Sequence, residues 1–342
     1  MNEIIERDCR DILSQVNFKN LKGKKVLITG ANGFLGQYIT AALSHANRKL
    51  GLRCRLHASG LHAPRTVLAS ILRADKKISY RRVNLTKPFK LGRYDLIFHA
   101  AGYAQPTKFV ADPISTIAIN IDASRRLIDS SPGATFVFFS SSEAYGDIPR
   151  EKLPVREDFN GNVPLHRPRS VYGESKRLGE ALCAYYNRVG SVRARIVRIS
   201  MVYGPGLDST DKRAMSEFIR KALRDKKITL LDAGGSVRTY GYIADVVAMI
   251  LFAALHGREM VYNVGGTDSL SILDLARKIG RHCGVTVATP AGQSKLAHIG
   301  QDPTVVKLNL GKIKKEMKKS KSTPFSKGLA RTIEWQRQFE EP

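Results

Sequence analysis

Tyr172 and Lys176 sit four positions apart in the stretch VYGESK, a spacing that puts both side chains on one face of a helix. A phenol in water gives up its proton only at about pH 10, so it acts as a base near neutrality only where a fixed cation stabilises the phenolate. Lys176 is placed to supply that cation. Upstream, FFSSSEAYG at residues 138–146 closes an apolar run with Ser140, Ser141, Ser142 and Glu143. The hydroxyls can hold a reacting oxygen, and a carboxylate beside an apolar strand needs either a partner or a proton to move.

A second set of residues points to a phosphate-bearing ligand. In ITGANGFLG, residues 28–36, Gly30, Gly33 and Gly36 recur at every third position directly after the apolar run Val26-Leu27-Ile28. Between a strand and a helix, the first glycine makes the tight turn, the second lets backbone approach a pyrophosphate, and the third lets the helix pack closely on the strand. The helix that then begins at Phe34 and Leu35 presents its N-terminal amides to the phosphates, so dinucleotide binding is expected. NAD recognition normally adds a carboxylate roughly 20 residues further on to accept the ribose 2′-hydroxyl. Residues 37–74 contain neither Asp nor Glu. Ser59, His62 and Arg65 stand there instead and suit a 2′-phosphate, so the expected cofactor is NAD or NADP, with the balance tilted towards NADP.

Positioning these groups requires strands alternating with helices. Lys24 to Thr29 reads as a buried strand, Phe34 to Asn47 as a helix and Arg53 to Ala58 as a second strand, which is a βαβ unit. Apolar runs at Leu96–His99, Phe136–Ser140 and Arg195–Ile199 alternate with helical patterns at Ile114–Ser130 and Ser175–Arg188. That order predicts an α/β Rossmann fold, a doubly wound parallel sheet whose carboxyl edge carries the ligands and the Ser140–Glu143 group. After Gly204-Pro205-Gly206 the pattern loosens, with Met215–Leu223 reading as helix and Met260–Val264 as strand. The expected division is a helical extension at 1–21, with Ile5, Cys9, Ile12 and Val16 on one stripe, and a cofactor-binding domain at 22–200 with a returning strand near 239–266. A smaller, partly discontinuous substrate-binding domain would occupy 201–238 and 267–342.

Taken together, GANGFLG, HAAG at 99–102, Asn120, SSSEAYG, YGESK, VYGPG at 202–206 and RTYGYIADV at 238–246 carry a resemblance over residues 22–340. The chain resembles the extended short-chain dehydrogenase/reductase family, specifically its nucleotide-sugar epimerases, dehydratases and decarboxylases. The resemblance implies bound NAD(P), a nucleotide-diphosphate sugar as substrate and a homodimer made by pairing two helices from each subunit. It also implies roles: Tyr172 takes the proton of a sugar 4-hydroxyl, Lys176 holds the nicotinamide ribose and tunes Tyr172, and Ser141 or Ser142 bonds the reacting hydroxyl. Asn120 falls in the helix that such enzymes use for a proton relay. Ala100, Ala101 and Gly102 would line the cofactor beside His99, a strand-end histidine with satisfied nitrogens, while Ser59, Asn84, Leu85 and Ser140 would complete its wall. Arg238 would meet the nucleotide diphosphate or a sugar carboxylate, since a guanidinium suits either oxyanion.

A 4-keto sugar acidifies its neighbouring C–H bonds and turns a C6 carboxylate into a β-keto acid that can lose carbon dioxide. Glu143 directly after the serines resembles 4,6-dehydratases and decarboxylases, and GNVPLHRPRSVYGESKR looks most like UDP-glucuronate decarboxylases. A 4-epimerase, a simple NAD(P)-dependent carbonyl reductase and a basic binding protein on an inactive scaffold are the alternatives. Three positions depart from the family pattern: the acidic ribose reader is missing, Asn84 replaces an Asp before Leu85, and Met201 replaces an Asn. The first two leave the choice of cofactor open, and the third alters the substrate pocket or its packing.

The bulk properties exclude other classes. The 342 residues allow an ample core, and the cysteines at 9, 54, 183 and 283 form no CxxC pair, so neither a disulfide framework nor a structural metal is expected. Glu3, Glu6, Arg7 and Asp8 interrupt any secretory signal, and the longest apolar run, Val246–Leu255, is about half of what a bilayer crossing requires. A cytoplasmic enzyme with no membrane span is expected. The formal net charge of +26 favours anionic ligands, but Lys312, Lys314, Lys315, Lys318, Lys319 and Lys321 lack interleaved aromatics, so specific nucleic-acid recognition is not expected.

Overall fold

The computed structural model describes residues 2–208, 211–290 and 305–338, so residues 209–210, 291–304 and 339–342 of the expected second domain lie outside the described residues. Strands β1 (Lys25–Thr29), β2 (Arg55–Gly60), β3 (Ser79–Arg82), β4 (Leu96–His99), β5 (Thr135–Ser141) and β6 (Arg193–Ile199) alternate with helices. These are α1 (Glu3–Gln15), α2 (Phe34–Leu50), α3 (Thr66–Ala74), α4 (Pro106–Ala111), α5 (Pro113–Ala118), α6 (Ser124–Asp129) and α7 (Ser170–Arg188). There follow β7 (Met201–Tyr203), α8 (Ala214–Arg224), β8 (Lys227–Thr229), β9 (Val237–Tyr242), α9 (Ile243–His256) and β10 (Val261–Val264). The last elements are β11 (Asp268–Ser271), α10 (Ile272–Cys283), β12 (Thr286–Ala288), β13 (Val305–Val306), α11 (Gly311–Glu316) and α12 (Phe325–Arg337).

The main sheet has seven parallel strands in the order β10-β6-β5-β4-β1-β2-β3. Chain direction across it reverses between β1 and β4, and such a switch point opens a ligand crevice at the carboxyl edge. This is the Rossmann arrangement. Outside it, β11, β9 and β13 form a small sheet that β7 joins through β9, and β12 pairs with β8.

Two elements differ from the sequence reading for identifiable reasons. Strand β3 reads SYRR, mostly exposed at the sheet edge, so it carries no apolar run to mark it. The helix expected at 114–130 is instead α5, a wide π-type turn at Ile119–Ala123, and α6. Pro113 and the side chain of Asp112, which accepts from the Ser115 amide at 3.1 Å, start α5. In the wide turn the Ser124 hydroxyl donates to the Asn120 carbonyl at 2.7 Å, giving that carbonyl a side-chain partner where the regular ladder is interrupted.

Helix α1 is built into the core. Its Ile5, Cys9 and Ile12 are fully buried with residues of α2 and α9, each fully buried aliphatic contributing about 1.5–3 kcal/mol. Asp8 on the same stripe accepts from Tyr38 of α2 at 2.9 Å, from Tyr242 at 2.7 Å and from Arg331 of α12 at 2.9 Å.

Candidate active site

The glycine turn is pressed against the end of β4. Gly30 has a φ of +66°, and a Cβ there would lie 2.6 Å from the backbone of Ala101; one on Gly36 would lie 2.3 Å from the Gly30 carbonyl. Only glycine fits both positions. Gly33 caps α2 without any side-chain hydrogen bond, so the first-turn amides around Phe34 and Leu35 keep no side-chain acceptor and suit a pyrophosphate. Asn32 ties this turn to the loop after β2: its Nδ2 donates to the His62 and Ala63 carbonyls at 3.0 Å, and its Oδ1 accepts from the Arg65 amide at 3.0 Å.

The expected ribose readers divide. Ser59 is buried in β2, its carbonyl accepting from the Ala31 amide at 2.9 Å, whereas His62 and Arg65 are exposed on the loop. The Asn84 carboxamide closes its own turn by accepting from the amide and hydroxyl of Thr86, and Leu85 is buried in a small cluster with Ile119 and Ala123. Ala100 and Ala101 line the crevice beside the glycine turn. A Cβ on Gly102 would sit 3.7 Å from both Asn120 Oδ1 and Lys176 Nζ, so the segment after β4 adjoins the Tyr/Lys pair.

Tyr172 lies in the first turn of α7, buried, with the Ser141 hydroxyl beside its phenol, favouring the phenolate. Ser141 Oγ also accepts from the Glu143 amide at 3.2 Å and so caps the short 3₁₀ turn that Ser142 opens. Ser141 is therefore the serine that meets the phenol. The Phe109 ring of α4 stacks on Tyr172 at 4.4 Å between centroids, and the Arg169 guanidinium lies 5.6 Å from Phe109. Arg169 Nη2 donates to Glu143 Oε1 at 2.7 Å, fixing that carboxylate beside the phenol. Burial pushes the Tyr172 phenol up to about 12; the negative charge of Glu143 acts in the same direction, while the Ser141 bond and the charges of Arg213 and Arg169 oppose it.

Lys176 makes its hydrogen bonds to Asn120 and to strand β5. Its Nζ donates to Asn120 Oδ1 and to the Phe139 carbonyl, both at 2.8 Å, and lies 5.6 Å from the Tyr172 ring centroid. Burial lowers it to about 7, with Glu180 pulling upward. Asn120 donates in turn to Ser175 Oγ at 2.9 Å. His99 meets the Thr29 hydroxyl at 2.8 Å and the Ile119 carbonyl at 3.0 Å, and burial takes it down to about 4, so it is a neutral structural ring. Ser140 points its hydroxyl at Glu180.

Arg238 lies on β9 of the small sheet with Nη1 donating to the Val237 carbonyl at 2.9 Å; the guanidinium beside Glu143 is that of Arg169. The sequence reading passed over Arg169, although it stands three residues before Tyr172 and so shares its helix face. Phe109 carried no signal, being one aromatic in a short polar stretch. Arg213, whose charge reaches Tyr172, is held bidentate by Asp211, with Nε donating to Oδ1 at 3.1 Å and Nη2 to Oδ2 at 2.6 Å. Among the described residues no three His, Cys, Asp or Glu side chains are arranged to hold a metal ion, and no helix is long and apolar enough to cross a membrane.

Comparison with known proteins finds relatives along most of the chain. A UDP-glucuronic acid decarboxylase 1 of Xenopus tropicalis is 27% identical over 344 residues, an alignment covering 97% of this chain and 76% of that relative. A UDP-glucuronic acid decarboxylase 1 of Arabidopsis thaliana is 26% identical over 315 residues, covering 91% of this chain and 69% of the relative. Among solved structures, UDP-glucuronic acid 4-epimerase from Bacillus cereus in complex with UDP-glucuronic acid and NAD superposes with a TM-score of 0.74 at 23% identity, covering 92% of this chain and 99% of that one. UDP-N-acetylglucosamine 4-epimerase from Methanobrevibacter ruminantium M1 gives a TM-score of 0.77 at 20% identity, covering 93% and 99%. These structures share the fold. Residues 26–265, from β1 to the end of β10, match the family model itself, and the chain belongs to the NAD dependent epimerase/dehydratase family.

Proposed function

We propose that the chain modifies a nucleotide sugar through a 4-keto intermediate, as a decarboxylase of a UDP-linked uronate. The observation that carries this reading is Glu143, fixed at 2.7 Å by Arg169 in the cluster that holds Ser141 and Tyr172. The curated relatives, UDP-glucuronic acid decarboxylases, support the choice of substrate. Gly30, Gly33, Phe34, Leu35 and Gly36 would hold NAD or NADP, which would supply a hydride acceptor for oxidation at C4 and a donor for its reversal.

Each remaining step falls to a residue of the chain. Tyr172 removes the proton of the 4-hydroxyl while Ser141 holds that oxygen. Lys176, anchored by Asn120 and the Phe139 carbonyl, stabilises the phenolate that forms. With a ketone at C4, the C5–C6 bond of the uronate breaks, its electrons pass into the C4–C5 enolate, and carbon dioxide leaves. Glu143 governs the proton that C5 then gains, and Arg238 takes the diphosphate or the sugar carboxylate. In a 4,6-dehydratase the same Glu143 would remove the C5 proton and water would leave from C6.

Mass spectrometry on a panel of nucleotide sugars tests this reading: loss of carbon dioxide is expected from UDP-glucuronate, loss of water identifies a dehydratase, and an unchanged mass identifies an epimerase. Glu143→Gln is expected to keep nicotinamide reduction and to lower product formation by about 10²- to 10⁴-fold. Normal turnover in that variant makes a 4-epimerase the better reading.

The absence of a carboxylate in β2 and the exposed His62 and Arg65 support acceptance of NADP as well as NAD, checked by the ratio of the two dissociation constants. A homodimer is proposed from the exposed apolar residues Ile114 of α5 (74%) and Leu178, Tyr185 and Val189 of α7 and its cap (55%, 50% and 54%), an isologous helix-paired face. A concentration-independent monomer in sedimentation removes it. Four free cysteines, three of them buried, fit a reducing cytoplasmic setting.

A further inference from the structure

Strand β5 and helix α7 meet through three consecutive strand residues. Phe139 accepts from Lys176 at 2.8 Å, Ser140 donates to Glu180 Oε1 at 2.5 Å, and the Ser141 hydroxyl lies beside the Tyr172 phenol and favours its ionised form. Tyr172, Lys176 and Glu180 follow one another at intervals of four on one helix face. The bond to Glu180 thus lies between the two contacts that define the Tyr/Lys site, and any slip of Ser140 moves both.

Glu180 is itself seated from the next strand. Arg198 of β6 is the register partner of Ser140, and it reaches Glu180 with Nε at 2.9 Å and Nη2 at 2.6 Å. Two cross-strand neighbours therefore hold one helix carboxylate. Arg198 is fixed in its turn by the Glu157 carbonyl at 3.1 Å and by the Tyr145 ring at 4.6 Å, and Tyr145 donates to Asn263 at 2.7 Å. A buried ion pair of this kind is often no more stabilising than apolar residues of the same volume, so stability alone gives it little reason to exist. Geometry does.

We propose that Glu180, seated between Ser140 and Arg198, is a positioning residue that registers α7 on β5 and so holds Tyr172 at Ser141 and Lys176 at Phe139. The proposal rests on Tyr172 and Lys176 being the proton-transfer pair and is independent of the sugar. The groups facing Lys176 among the described residues are Tyr172 and Glu180 from α7, neutral His99 from β4, uncharged Asn120 and, behind Glu180, Arg198 from β6. Glu180 is the carboxylate in that set, and it favours the ammonium.

The test uses the full chain in two variants. Glu180→Gln with Arg198→Met removes the pair together, because removing Glu180 alone strands a buried charge; Ser140→Ala removes only the strand-to-helix bond. The Lys176 side chain is titrated by NMR on [ε-13C]lysine without substrate, with Lys176→Met identifying its resonance. Nicotinamide reduction is then followed on adding UDP-glucuronate. In the pair variant the Lys176 midpoint is expected to fall from about 7 by roughly one unit, since the carboxylate that favours the ammonium is gone. Its kcat should fall on the order of 10²-fold with KM unchanged, the signature of sub-ångström misplacement.

Ser140→Ala decides the question if the pair variant does not fold, with an expected loss in kcat of about 10-fold and a shifted Lys176 resonance. A lower melting temperature with wild-type Lys176 titration and wild-type kcat per folded molecule overturns the proposal and leaves the pair a structural rivet. Should wild-type protein fail to reduce nicotinamide with UDP-glucuronate, the substrate reading falls, and the Lys176 resonance in the two variants still decides: unchanged values overturn the role of Glu180.

Discussion

The Asp8 and Tyr172 clusters each bring a tyrosine, a carboxylate and an arginine together. Around Asp8, Oδ2 accepts from Tyr38 and Tyr242 and Oδ1 from Arg331, with the carboxylate and guanidinium side chains 0% and 7% exposed. Around Tyr172, the Glu143 and Arg169 side chains are 28% and 16% exposed, and the group beside the phenol is the Ser141 hydroxyl. Burial raises the carboxyl of Asp8 against the pull of its partners, as it raises the Tyr172 phenol. The residue types and the electrostatics are alike. The Asp8 cluster has spent its oxygens on protein donors and is closed to water; the Tyr172 cluster stays partly open, and its hydroxyl pair can be shared with a third oxygen. Access is what separates a rivet from a site.

That contrast can be broken by three measurements. Tyr172→Phe should carry the largest effect, a loss of turnover of about 10²- to 10⁴-fold with cofactor affinity nearly unchanged, because only the ionisable oxygen is removed. Substantial residual turnover moves proton transfer elsewhere. Asp8→Ala should cost about 3–5 kcal/mol in urea unfolding, the penalty of leaving Arg331 charged and buried without its partner, while kcat per folded molecule stays at the wild-type value. A fall in kcat at intact stability would make α1 part of the site. The smallest effect separates the serines: Ser141→Ala should lower kcat about 10-fold, and Ser142→Ala by less than about twofold, on the scale of one hydrogen bond. The reverse order returns the hydroxyl role to Ser142.

The two clusters were not equally legible. Gly30, Gly33 and Gly36, like Tyr172 and Lys176, declare themselves by local spacing, since a turn or a helix face converts sequence interval directly into geometry. Ser141 and Ser142 could be placed near that face but not ranked, because the turn that separates them depends on the Ser141 hydroxyl capping the Glu143 amide. Asn120 was legible as a residue and its wide turn was not; regular periodicity predicts a continuous helix through it. Strand β3 was invisible because an edge strand need not be apolar. Arg169 shared a face with Tyr172, yet its partner Glu143 lies 26 residues away, and long-range pairing leaves no periodic trace. Asp8 read as a charge that breaks a signal peptide; its burial is decided by α2, α9 and Arg331, all distant in sequence.

The bond between Asp8 and Arg331 spans 323 positions. During synthesis the first helix leaves the ribosome long before the helix that neutralises its aspartate, and at about 5–20 residues per second the interval is tens of seconds. Throughout that time α1 can lay Ile5, Cys9 and Ile12 on α2, but docking fully would bury a carboxylate that still lacks its guanidinium. The sheet and its cofactor edge can therefore assemble in order as they emerge, while α1 waits half-docked for α12. A chain interrupted before Arg331 would lack the guanidinium that Asp8 needs for full docking of that first helix.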